Sequence, residues 1–438
     1  MVNVTEQSAA QLRESHEEQI FRCATPYYRE PLVLASGSGS RVRDVEGREY
    51  LDFYAGILTT SVGHCHPEVV GRVQKQLRML GHVSTLYLNE PQIEAAQRLS
   101  AITPGRLDRV LFTNSGTEAI ETAVALACMH TGRSEIIALR HSYSGRSILA
   151  TNLTGQAPWR ASGSVLPGIK HVKAPYPYRC VFRTPCDSGC VEALADDLVE
   201  AIETTTSGRP AALLAESILG AGGFIVPHPG YFERVSEIIR DYGGLFISDE
   251  VQSGFGRTGR RWFAIEHWGV EPDIMVMAKG IANGMPVGAT VTRSEIADAW
   301  TAKTISTFGG NPVSTAAVAA TLNVMVAEDV PSRAQDRGEQ LRVGLESIAA
   351  EHAWVGEVRG MGLMQALELV ESPESKVPNS RHAALLLEAA REEGLLVGIG
   401  GLNGHVIRIG PSLLIGEAEV DEGLSKLRRA CGRVENDV

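Results

Sequence analysis

The chain reads as an α/β protein: a mostly parallel sheet covered by helices on both faces, followed by a smaller α+β layer. Three observations predict this. Short apolar runs alternate with amphipathic stretches from Val110 to Val291, and βαβα alternation folds into a parallel sheet with two covered faces. Two of the runs, Leu245 to Asp249 and Met277 to Lys279, stay apolar until they stop at a charged residue near glycine-containing sequence, as buried parallel strands do. At 438 residues the chain exceeds what one hydrophobic core ordinarily serves, so two subdomains are expected.

Taken in order, Met1 to about Thr25 is a polar lead-in helix. Ser36-Gly37-Ser38-Gly39 reads as a turn, and Arg41 to Val45 with Tyr50 to Phe53 as a hairpin around Glu46-Gly47. His64 and His66, two apart, have no third ligand at convincing spacing and fit a turn and a helix start before Pro67. Val69 to Leu80 and Gln92 to Ala101 carry apolar residues at helical spacing. Val110 to Phe112 is a buried strand that feeds Thr113-Asn114-Ser115-Gly116-Thr117-Glu118, and a helix runs from Ala119 to Met129. Strand, small-residue turn and helix start make a place where backbone N–H groups and the helix dipole favour a phosphate. The turn is neither a Walker loop nor G-x-G-x-x-G, and Ser115 or Thr117 serves equally well as a plain N-cap.

Glu135 to Leu139 is the next strand, and Tyr143 just past it can stack on a planar ligand or simply pack. Gly155 to Cys190, punctuated by Pro167, Pro175, Pro177 and Pro185, is a long irregular excursion expected to shape a substrate entrance or a subunit contact. A helix follows at Asp196 to Thr204, then a strand from Ala211 to Ala215 that ends at Glu216. The helix from Tyr231 to Tyr242 stops at Gly243-Gly244 and leads into the strand of Asp249. Asp273 to Ala278 carries Lys279, Ala289 to Val291 is a further strand, and an Ala- and Val-rich helix runs to about Ala327. Beyond Gln340 the order is helix, strand (Gly362 to Leu369), helix (Ala383 to Glu393) and strands near Leu396 and Val406 to Ile409, an α+β layer that the N-terminal segment completes. The implied division is 1–75, 76–325 and 326–438.

Hydrophobic content of 44% and charged content of 21% exclude extended disorder. A net charge of -11 argues against nucleic acid or an anionic membrane as partner, since both need clustered Lys and Arg. No apolar run approaches the roughly twenty residues that span a bilayer, and the acidic start lacks a signal-peptide pattern, so a cytoplasmic enzyme is expected. Seven scattered cysteines fit reduced thiols. Cys180, Cys186 and Cys190 lie close in sequence, but without C-x2-C spacing or an evident fourth ligand no metal is expected there.

Asp249 and Lys279 stand at the carboxyl ends of neighbouring strands, where open α/β sheets bind ligands. One carboxylate and one amine so placed suit a cofactor with a pyridinium nitrogen and an aldehyde. Pyridoxal 5'-phosphate is such a cofactor, joined to the lysine as a Schiff base and protonated on its ring nitrogen by the aspartate. Asp and Lys also end strands in α/β proteins of every kind, and the two residues alone leave that reading open.

Four motifs in register narrow the choice: Asn114 to Ala119, Ser248-Asp249-Glu250-Val251-Gln252 through Gly259, Ala278-Lys279-Gly280, and Thr307-Phe308-Gly309-Gly310-Asn311-Pro312. Together they resemble the class III pyridoxal-phosphate aminotransferases, from about Asp44 to the Arg408 region. The resemblance implies the fold-type I architecture, with a mostly parallel seven-stranded large-domain sheet and a smaller α+β domain. It further implies that Lys279 binds the cofactor and shuttles the proton, Asp249 pairs with the pyridinium nitrogen, and Val251 and Tyr143 cover the ring faces. Gln252 would bond the ring hydroxyl. Ser115, Gly116 and Thr117 would hold the phosphate with Thr307 of a second subunit, in a homodimer or in a tetramer of two such dimers. Glu216 would support the site, although Ser217 stands where the family usually has Pro.

Arg408 matches the family's carboxylate-gripping arginine, while the turn after Glu216 has Ala221 where ω-amino-acid branches carry a gating Glu. The stretch from Asp44 to Phe53 and from Ser61 to Pro67 is similar to the alanine–glyoxylate branch, with Ile57 on the substrate wall. The expected activity is therefore amino transfer from an L-alanine-like donor to a 2-oxo acid. Alternatives are a 4-aminobutyrate-type ω-transaminase, an amino-acid epimerase on the same scaffold, and a binding protein that retains the scaffold.

Overall fold

The computed structural model describes residues 8–160, 165–182 and 188–436. Near the N-terminus β1 (Leu34–Ser38), β2 (Arg41–Asp44) and β3 (Glu49–Asp52) form an antiparallel meander. The central sheet contains β4 (Arg109–Thr113), β5 (Ile136–Leu139), β6 (Ile169–Val172), β7 (Ala212–Glu216), β8 (Leu245–Asp249), β9 (Ile274–Met277) and β10 (Gly288–Thr292). Its order is β4-β10-β9-β8-β7-β5-β6. Strands β9, β8, β7, β5 and β6 run parallel, whereas β10 is antiparallel to both β9 and β4. Five strands follow: β11 (Val355–Met361), β12 (Met364–Leu369), β13 (Leu395–Leu396), β14 (Gly398–Gly400) and β15 (Val406–Ile409). Four of these make an antiparallel sheet in the order β11-β12-β15-β14, while β13 joins the first sheet, pairing Leu395 with Leu51.

Alternation along the strands explains how the central sheet is buried on both faces. Leu213, Phe246, Met275 and Met277 point into one apolar cluster, and Leu214, Leu245, Ile247, Ile274 and Val276 into the other, as a period of two requires. Helix Tyr231–Asp241 closes the first face with Phe232, Val235 and Ile239. Helix Gly116–Thr131 closes the second with Ile120, Ala123, Val124 and Ala127. Each fully buried large side chain stabilises the layer by ~1.5–3 kcal/mol, which fixes the strand ends that carry the polar residues. Among the described residues no single helix is long and apolar enough to cross a membrane, and the most apolar one, Pro312–Ala327, is largely buried against its neighbours.

Four sequence expectations change. Ser36 to Ser38 continue β1, and the turn falls at Gly39, whose φ of 57° suits glycine. The strand around Val110 is the sheet's outer edge, with Leu111 exposed, because β10 covers only one of its sides. The excursion from Gly155 to Cys190 contains the seventh strand, β6, whose Lys170 and His171 interrupt any apolar run. Strand β11 and the C-terminal helix Glu417–Asn436 add to the last layer.

Candidate active site

The carboxyl ends of β5, β7, β8 and β9 converge with the start of helix Gly116–Thr131 around a cavity of about 180 Å³. Register puts Glu216 beside Asp249 on adjacent strands, and Asp249 beside Val276 on the strand that leads to Lys279. Lys279 follows β9 in left-handed backbone, φ 47°. A non-glycine residue held there stores strain that the packed surroundings must support.

The three ionisable groups perturb one another. Burial pulls the Lys279 amine down to about 8, opposed by the charges of Asp249 and Glu216. Burial pushes both carboxyls up, for Glu216 with the help of the Asp249 charge. Asp249 Oδ1 accepts the Val251 N–H at 3.0 Å. Glu216 Oε1 accepts the Tyr143 N–H and its Oε2 the Gly220 N–H, both at 2.8 Å, so one carboxylate pins two loops to the end of β7.

Gly116, Thr117, Tyr143, Glu216, Asp249, Val251, Gln252 and Lys279 all line the cavity. Ser115 stands behind them as the N-cap, its hydroxyl accepting the Glu118 N–H at 3.2 Å. Thr307 is exposed and outside this chain's cavity lining. Ile57 is 43% exposed and outside the lining as well. Arg408 on β15 lies beyond the cavity lining, yet near enough for its charge to lower the Lys279 pKa. Ser144, Gly145, Ile120 and Ala278 also line the cavity, although sequence reasoning did not single them out for the site. Gly145 had a signal in its position: its φ is 133°, and a Cβ there would lie 2.4 Å from Thr117 Oγ1.

The departure at Ser217 has a local cause. Its hydroxyl donates to the buried Glu250 carboxylate at 2.6 Å, and Ser253 Oγ and the N–H groups of Ala264 and Ile265 complete that carboxylate's shell. Glu250 thus ties the loop after β8 to the next segment and stays out of the cavity. Elsewhere, the sulfurs of Cys180 and Cys190 lie 2.8 Å apart, and Cys186 falls outside the described residues. His64 contacts Asp52 at 2.8 Å.

The residues present fit pyridoxal phosphate. Gln252 Oε1 is buried with no hydrogen-bond partner, an acceptor that a ring hydroxyl would satisfy. Gly116 leaves its backbone open beside Val251 and Ala278 at a helix N-terminus, where an anion is favoured. Fold and site together define a fold-type I pyridoxal-phosphate enzyme. The particular family follows from comparison: the chain belongs to the class-III aminotransferases, whose family pattern matches residues 24–431. It is 41% identical to the alanine–glyoxylate aminotransferase 2 homolog 2, mitochondrial, of Arabidopsis thaliana, over 90% of this chain and 81% of the relative. It is 39% identical to an acetylornithine aminotransferase of Methanopyrus kandleri, over 92% of this chain and 95% of the relative. An amine transaminase from an uncultivated Pseudomonas species, solved in its PLP-bound form, superposes with a TM-score of 0.89 at 32% identity, covering 95% of this chain and 98% of that one. The protein is a pyridoxal-phosphate-dependent transaminase.

Proposed function

We propose that this transaminase moves the amino group of an L-alanine-like α-amino acid to a 2-oxo acid such as glyoxylate or pyruvate, in a ping-pong pair of half-reactions. One observation carries the reading. Arg408 is 5% exposed and, among the described residues, its hydrogen bonds go to neutral oxygens, and Ala221 supplies no carboxylate to it. A buried guanidinium without a counter-charge is a place for a substrate carboxylate. The name of the Arabidopsis relative agrees with this substrate class.

Bound pyridoxal phosphate supplies the sink for electrons released at the substrate carbon. Lys279 Nζ would anchor the cofactor and shuttle the proton released at the substrate carbon, a task for which its lowered pKa keeps part of the amine neutral. Asp249 would hold the proton on the ring nitrogen. Gln252 would accept from the ring hydroxyl, and Tyr143 and Val251, which line the cavity, would hold the ring. Gly116 and Thr117, at the helix start capped by Ser115, would donate to the phosphate. Glu216 positions these loops, and Ile57 contributes to the substrate wall. We read the chain as divided at 1–75, 76–325 and 326–438, and as cytoplasmic, although relatives bear mitochondrial names.

A homodimer completes the site in this reading, with Thr307 serving the partner's phosphate. The exposed Leu86, Leu88, Ile305 and Phe308 support it, since the two segments are tied by Thr85 N–H donating to Ser306 O at 3.4 Å. The test is a coupled assay of the purified protein with L-alanine. Pyruvate release that depends on added glyoxylate is expected. Loss of optical rotation without any acceptor would instead establish epimerisation.

A further inference from the structure

We propose that Tyr54 is a positioning residue that sets substrate specificity through Arg408: its phenol occupies the guanidinium without neutralising it, so the cation stays committed to a substrate carboxylate in both half-reactions. This rests on the reading of Arg408 given above.

The geometry is closed on every side but one. Arg408 Nε and Nη2 donate to the Ile399 carbonyl at 3.1 and 2.7 Å, and Nη2 also donates to the Tyr54 hydroxyl. The Tyr54 and Phe224 ring centroids lie 5.2 and 5.6 Å from Cζ, within cation–π reach of the guanidinium. Nη1 has only a long contact, 3.4 Å to Gly220 O. Nη1 is therefore the edge left for an incoming carboxylate. Gly220 also gives its N–H to Glu216, so this edge faces the turn that bounds the cavity.

Tyr54 is itself held firmly. Its N–H donates to Asp52 Oδ1 at 2.9 Å, its ring stacks on Tyr27 at 6.0 Å, and its hydroxyl lies 3.2 Å from that of Tyr27. Gly398 makes room, because a Cβ there would come within 2.1 Å of the Tyr54 ring. The Tyr54 oxygen accepts from Arg408 and shares a second hydrogen bond with the Tyr27 hydroxyl, in which either oxygen can donate. Burial pushes the phenol's pKa far up, so the oxygen remains neutral. A neutral acceptor orients a guanidinium without cancelling its charge, whereas a gating carboxylate does both.

The test uses holoenzyme carrying Tyr54→Phe, with Tyr27→Phe and Arg408→Gln alongside. Propanoate binding is measured by titration calorimetry, and kcat and KM are measured for L-alanine with glyoxylate. In Tyr54→Phe one buried N–H of Arg408 loses its acceptor, so the propanoate Kd and the L-alanine KM should both rise roughly tenfold while kcat stays within about twofold. Tyr27→Phe should shift both the same way by less. Unchanged or tighter propanoate binding in Tyr54→Phe, or a fall in kcat at constant KM, overturns the proposal. If Arg408→Gln binds propanoate as well as the parent does, the underlying reading of Arg408 fails. If Arg408→Gln loses binding and Tyr54→Phe does not, the role of Tyr54 alone is refuted.

Discussion

Glu216→Gln isolates the device that holds two walls of the cavity together. Both carboxylate oxygens accept a backbone N–H at 2.8 Å, one from Tyr143 and one from Gly220. An amide of the same shape offers one oxygen and an NH2 that cannot accept, so one of the two loops must let go. Losing a hydrogen bond at a buried acceptor, with its N–H left orphaned, costs ~1–3 kcal/mol. At 1.4 kcal/mol per factor of ten, that is roughly a 5- to 150-fold change in an equilibrium constant. Titration of the cofactor-free variant with pyridoxal phosphate should show this weakening, since the loops of Tyr143 and Gly220 bound the site. Glu216→Ala loses both bonds and should fall further. Unchanged cofactor affinity in Glu216→Gln, or an alanine variant no weaker than the glutamine one, would refute the bracing argument.

Other outcomes follow from the same groups. In the cofactor-free protein, reaction of Lys279 with an amine reagent should titrate near pH 8 instead of at the ordinary 10.5; peptide mapping of the labelled lysine across pH reads this. Asp249→Asn removes a charge that raises the Lys279 pKa, so the midpoint should move lower still, and a midpoint moving up would contradict the assignment. The stability linkage has a definite sign: a lysine whose folded pKa is depressed binds fewer protons folded than unfolded between about 8 and 10.5. Its contribution to stability therefore rises with pH across that window. Ser217→Ala deprives the buried Glu250 of a 2.6 Å donor and should lower the unfolding free energy by ~1–3 kcal/mol in denaturant titrations, with little change in KM.

What the sequence disclosed depended on burial. Strands β8 and β9 lie inside the sheet, are buried throughout and are apolar but for Ser248 before the charged ends, so Asp249 and Lys279 stood out. Edge strands were harder: β6 presents Lys170 and His171 to its surroundings, and β4 leaves Leu111 uncovered. Strand β6 breaks the rule of a continuous apolar run, while β4 satisfies it at Val110 to Phe112 and yet lies at the edge. The antiparallel direction of β10 had no local signature, because direction is set by where the chain returns and not by the residues in the strand. The partners of Arg408 were invisible for a related reason, since Tyr54 and Gly220 come from distant segments, Ile399 from the preceding strand, and the last two contribute only backbone oxygens. Ser217 did stand out as a departure, but its meaning needed Glu250, which long-range packing places opposite it.

The direct test is chemical. Holoenzyme reduced with borohydride and mapped by peptide mass spectrometry should carry a reduced pyridoxal adduct on Lys279 and on no other lysine. An adduct on a different residue, or none at all in protein that binds the cofactor, would contradict the account.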